Sequence, residues 1–147
     1  MPLEGCPDAR IVAVADGGDS GAPIAQWCKE RGHTPTIHAD HRELLNHVKP
    51  NAVIVIGPWE RHAEMCIDAL DRHIHVLTEK PAAIEIRQFT ELRAATAQRP
   101  SIHLAGMMFS RYQAGFWTAK KLIDSGAIGK VRLVNARKSY KLGKRPA

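Results

Sequence analysis

His75-Val76-Leu77-Thr78-Glu79-Lys80-Pro81 decides the fold of this chain. A short β-branched run ends in an acid, a base and a proline. A lysine placed where a parallel strand stops points into the crevice in which open α/β sheets bind their ligands. The segments on either side repeat the same alternation of short apolar runs and helix-period stretches.

Upstream, Ala52 to Ile56 is a continuous apolar run, as expected of a strand covered on both faces. Gly57-Pro58 breaks it, and Trp59 to Arg72 reads as a helix with Ala63, Cys66, Ile67 and Leu70 at helical spacing. Asp40 with Glu43 three residues later is a capping-box pattern, opening a helix with Leu44, Leu45 and Val48 on its apolar stripe. Pro50 ends that helix. Pro35 to His38 reads as a weak strand, and Ala22 to Arg31 as a helix closed by Gly32. Ile11 to Ala15 is a short buried strand ending at Asp16.

Downstream, Ile84 to Gln98 reads as a helix with Ile86, Phe89 and Leu92 on one face. Ile102 to Gly106 is a strand, Tyr112 to Ser125 a helix closed by Gly126, and Val131 to Arg137 a last strand. Strict alternation of this kind predicts an α/β fold with a parallel sheet and right-handed crossovers.

Composition bounds the function classes. Of 147 residues, 44% are apolar and 24% charged, the balance of a globular protein. The longest aliphatic run is too short to span a bilayer, so no membrane partner is expected. The N-terminus does not read as a signal peptide. The net charge of +6 is unevenly placed: residues 120–147 hold nine Lys/Arg and one acid, leaving −2 for the rest. Among the last twenty residues only Tyr140 is aromatic, so stacking on bases is poorly supported and no nucleic-acid partner is expected. Cys6, Cys28 and Cys66 make neither a disulfide framework nor a metal knuckle, and read as reduced thiols of a cytoplasmic protein. Eight histidines include the cluster His38, His41 and His47, and the pair His73 and His75 on one expected strand face. Neither set has an ordinary zinc spacing with cysteine partners, so no metal site is read from spacing.

Several of these segments together resemble the Gfo/Idh/MocA oxidoreductases. The resemblance rests on Val53-Ile54-Val55-Ile56-Gly57-Pro58, His62, Ala69-Leu70, His75-Val76 and Glu79-Lys80-Pro81, in that order and spacing. Gly106, Arg111 and the run Leu122 to Val131 resemble the family's passage from its first domain to its second. The family implies a doubly wound, Rossmann-like dinucleotide-binding domain followed by an α/β substrate domain that often mediates homo-oligomerisation. It implies hydride transfer between NAD or NADP and a sugar, inositol or related polyol. Some members keep the cofactor and pass hydride between two substrates.

Against that pattern the chain is expected to be incomplete. No G-x-G-x-x-G turn is present, and Ile11 to Asp16 matches the family's second strand. The expected division is a partial dinucleotide-binding domain over 1–126 and the beginning of a substrate domain over 127–147. In the order 3-2-1-4-5-6 the missing first strand is central, which leaves the strands at 11–15 and 52–56 without their shared neighbour. A rival reading takes Gly17-Gly18-Asp19-Ser20-Gly21 as a phosphate loop; its spacing is not the fingerprint, and Asp16 there has the wrong charge.

The resemblance implies Lys80 as the catalytic residue, and Asp16, Pro58, Trp59, His62, Glu79, Lys80 and Arg111 around the cofactor. Asp16 would accept hydrogen bonds from a ribose diol. The next cation along the chain is Lys29, so a 2′-phosphate would meet Asp16 uncompensated and NAD is preferred over NADP. The alternative to an enzyme fragment is a non-catalytic partial dinucleotide-binding or interaction module.

Overall fold

The computed structural model describes residues 8–16, 21–137 and 139. Its elements are β1 (Ala13–Ala15), α1 (Gly21–Lys29), β2 (Thr36–His38), α2 (His41–Val48), β3 (Ala52–Val55), α3 (His62–Leu70), β4 (His75–Thr78), α4 (Ile86–Ala97), β5 (Leu104–Gly106) and α5 (Ala114–Asp124). Single 3-10 turns at Trp59–Arg61 and Phe109–Tyr112 precede α3 and α5. The chain divides into two compact units, residues 1–107 and 108–147. Helix α5 lies in the second of these units.

In the first unit every strand pair is parallel, but there are two sheets. One has the order β1-β2 and the other β3-β4-β5. The core lies between helices and strands: Leu44 and Leu45 of α2, Val55 of β3, Cys66, Ala69 and Leu70 of α3, Val76 of β4, and Leu92 and Ala95 of α4. Ala13 and Ala15 of β1 pack against the same cluster. Helix α2 begins where Asp40 accepts hydrogen bonds from the backbone N–H groups of Arg42 and Glu43. Those N–H groups, with Arg42's the larger influence, hold the Asp40 carboxyl below the ordinary carboxylate range. Lys49 closes the helix in the left-handed region at φ 48°, just before Pro50.

The alternation of backbone groups identifies two unpaired edges. Thr36 N–H donates to Val12 O and Asp16 N–H to His38 O, so Val14 faces β2 and Ala13 and Ala15 turn their backbone groups away. His75 N–H donates to Asn51 O and Glu79 N–H to Val55 O, so Ala52 and Ile54 likewise turn away from β4. Among the described residues no strand pairs with either of these edges.

Four expectations are corrected. Ile86 and Phe89 are 84% and 56% exposed, while Leu92 and Ala95 are buried. At about 100° per residue, Ile86 lies about 120° around the helix from Leu92, off the buried stripe. Val131 to Arg137 forms no strand, because no described partner offers it a ladder. His73 is not on β4; it sits in the preceding turn at φ 58°, so it shares no strand face with His75. His75 instead stacks on His103 with centroids 5.1 Å apart, and its Nδ1 accepts from His103 N–H. The helix expected from Trp59 starts only at His62, because Pro58 enters extended at ψ 136° and the chain needs a 3-10 turn to wind up. The rival loop at 17–20, Cys6 and the basic tail from Tyr140 onward lie outside the described residues.

Hydrogen exchange tests the two edges. Ala13, Ala15 and Ile54 amides are expected to exchange much faster than those of Val14 and Val53. Protection of Ala13 and Ala15 at the level of global unfolding would show that another segment pairs with them.

Candidate functional site

The loops after β3 and β4 leave the same edge of the three-stranded sheet, since Val55 and Thr78 are register partners and Thr78 pairs onward with Gly106. The ladder runs one bond past β4: Glu79 N–H donates to Val55 O at 2.8 Å. On the other side Met107 N–H donates to Thr78 O at 2.8 Å. The backbone is thus held from both neighbours up to Glu79, and Lys80 is the first residue beyond. The Lys80–Pro81 peptide is cis.

His62 ties the two loops together. It opens α3 and is fully buried. Its Nδ1 lies 2.8 Å from Pro81 O and its Nε2 2.7 Å from Gly57 O. Both partners only accept. A neutral ring donates to one of them and a doubly protonated ring to both. In either form the imidazole spans the turn after β3 and the turn after β4. The ring has no exposed surface, and what it visibly does is hold the two loops together.

Thr78 and Cys66 complete the underside and were not singled out from the sequence. Thr78 is 1% exposed, and its hydroxyl donates to Glu79 O at 3.1 Å. Cys66 is buried beside it; burial pushes its thiol above the ordinary range, and a hydrogen bond with the Thr78 side chain partly offsets this. The signal available was the two-residue period of β4, which sends Val76 and Thr78 to the same buried face.

On the exposed side, Glu79 Oε1 accepts from Lys80 N–H at 3.0 Å and lies 3.8 Å from Lys80 Nζ. The Lys80 side chain is 65% exposed, against 23% for Glu79. This is a loose pair that leaves the ammonium available to a ligand. Pro58 and Trp59 line the neighbouring turn, and Trp59 is 60% exposed. Asp16 stands one residue past β1, at the C-terminal edge of the other sheet. Arg111 lies in the 3-10 turn of the second unit, where its N–H donates to Met108 O. A groove of the first unit, about 370 Å³, lies elsewhere, between α3 and α4, and is lined by Glu60, Glu64, Asp68, Arg87 and Glu91 among others.

Against a nicotinamide dinucleotide the donor set fits in part. Asp16 suits a ribose diol, and Lys80 with the Pro58–Trp59 turn suits the nicotinamide end. The sequence has no G-x-G-x-x-G spacing, and Gly17 and Gly18 of the rival loop lie outside the described residues.

Parallel strands joined by helices, with an acid and a Glu-Lys-Pro turn at strand ends, define a Rossmann-like nucleotide-binding unit. The chain belongs to the Gfo/Idh/MocA oxidoreductase family with an NAD-binding Rossmann fold, whose model matches residues 3–107. It is 29% identical over 130 residues to inositol 2-dehydrogenase of Salmonella typhimurium, covering 87% of this chain and 38% of that protein. It is 33% identical over 123 residues to 2,7-anhydro-N-acetylneuraminate hydratase of Mediterraneibacter gnavus, covering 84% of this chain and 31% of that protein. A putative oxidoreductase from Thermotoga maritima superposes with a TM-score of 0.85 at 31% identity, over 98% of this chain and 45% of that one. The chain thus spans less than half the length of these proteins.

The tie made by His62 has a measurable cost. His62→Ala removes the ring that links the Pro81 and Gly57 carbonyls and empties a fully buried position, and is expected to lower stability by about 2–4 kcal/mol in urea unfolding. His62→Gln, which keeps a donor, should recover part of it. A loss under about 0.5 kcal/mol for the alanine variant would show that the bridge does not hold the loops.

Proposed function

We propose that this chain supplies the nicotinamide-facing wall of an NAD-dependent oxidoreductase that acts on a sugar, inositol or related polyol. The observation that carries the reading is the Glu79-Lys80-Pro81 turn, set at the ligand edge of the middle strand and tied by His62 to the loop after β3. The relatives include an inositol dehydrogenase and a sugar-derivative hydratase, which supports a polyhydroxylated substrate. A cytoplasmic homo-oligomer is the setting this implies.

The roles follow from charge and placement. The nicotinamide, when bound, takes or gives the hydride. Lys80 stabilises negative charge on the substrate oxygen, or takes and returns its proton. Glu79 sets the lysine's backbone through the 3.0 Å bond and moderates its charge. Asp16 accepts from the ribose hydroxyls and repels a 2′-phosphate. Pro58 and Trp59 form the adjoining wall.

Fluorescence titration with NADH and NADPH tests the cofactor reading. Weak, saturable NADH binding is expected, at least about tenfold tighter than NADPH, with the preference lost in Asp16→Ala. Equal affinity for both nucleotides would contradict the role of Asp16. No binding of either would favour the non-catalytic module. Any NAD-dependent oxidation of inositols or hexoses should fall about 100-fold or more in Lys80→Met.

A further inference from the structure

We propose that His38, Glu43 and His47 form a binding site for a divalent transition ion of the zinc type, at the junction of β2 and α2. One donor atom from each of the three lies within 4.8 Å of the others. His38 Nδ1 is 3.5 Å from Glu43 Oε1, and His47 Nδ1 is 3.9 Å from the same oxygen. Two imidazoles and a carboxylate with a fourth position left to water are an ordinary ligand set for such an ion.

The decisive atom is His38 Nδ1. It is buried and has no hydrogen-bond partner among the described residues, although its side chain is only 12% exposed. The opposite nitrogen is already used: Nε2 lies 3.0 Å from the Thr36 hydroxyl, two residues back on β2. With Nε2–H donating to Thr36, Nδ1 presents its lone pair to Glu43 and His47. An outer partner that fixes the tautomer in this way is what a metal-bound histidine ordinarily has. Glu43 and His47 are four apart on α2 and share a face.

The fit requires a small contraction. Donors on a tetrahedral zinc with bonds of about 2.0–2.1 Å stand about 3.3 Å apart. Glu43 and His47 are exposed on a helix surface, so rotamer changes can bring them in, while His38 stays fixed. A second cluster, His41, Glu64 and Asp68, meets the same distance test but is already neutralised. Arg42 pairs with both Asp68 and Glu64, and Arg61 also bonds Glu64. An ion there has to displace two guanidinium groups; at His38 the recorded ion pairs of Glu43 are with the two histidines themselves.

A bound ion would pin the end of β2 to α2, next to the strand that carries Asp16, since Asp16 N–H donates to His38 O. That makes the site a clip on the small β1-β2 sheet, separate from the Glu79–Lys80 turn. Calorimetric titration of the full chain with zinc chloride, with cobalt(II) absorption as a second readout, tests it. One equivalent of zinc is expected, with a tetrahedral-type cobalt spectrum. His47→Ala, a substitution at an exposed position, should weaken zinc binding at least tenfold, and Asp68→Asn should leave it unchanged. No saturable binding, unchanged affinity in His47→Ala, or loss only in Asp68→Asn would overturn the site.

Discussion

The structure depends on the middle position of β4. Being paired on both sides, this strand delivers Glu79 to a place set by two neighbours, through Glu79 N–H to Val55 O and Met107 N–H to Thr78 O. Parallel pairing makes all three strands end at one edge, so the residues that follow them share a crevice whether or not they touch. His62 then uses that closeness. A buried imidazole between two carbonyls converts adjacent loops into one piece, and the lysine leaves from the end of that piece.

The other half of the expected ligand edge is held differently. Asp16 follows a strand that shares no ladder with the larger sheet. Its position relative to Lys80 is set by packing, with α2 touching both β1 and α3 and with Ala13 and Ala15 set against the common core. Side-chain packing tolerates small shifts that a backbone ladder does not. A dinucleotide held by Asp16 and Lys80 as proposed would span both halves, and its affinity would then depend on how well the α2 contacts substitute for a shared strand. A clip between β2 and α2 would act on that joint.

Much of this was legible in the sequence. Short apolar runs alternating with helix-period segments marked the strands of the first unit, and the acid-base-proline turn marked the end of β4. Asp40 announced the start of α2 because capping is a local property. What was not legible depends on tertiary partners. Val131 to Arg137 has strand-like residues, but a strand exists only when another lies beside it. Ile86 and Phe89 look like a core face until the helix is rotated to bury Leu92 and Ala95. That His62 is a buried tie was not legible, because nothing in one sequence shows which carbonyls converge on a ring. The nearness of His38 and His47 in the sequence was visible, but their grouping with Glu43 was not, because metal spacing rules assume local motifs and this set joins a strand end to a helix face.

Amide chemical shifts of the labelled chain, followed as NADH is added, test the central claim that the C-terminal strand edge is the ligand edge. Perturbations are expected at Asp16, Gly57, Trp59, Glu79 and Lys80, on both sheets. Shifts confined to the groove between α3 and α4, at Glu64, Asp68 and Arg87, would contradict it.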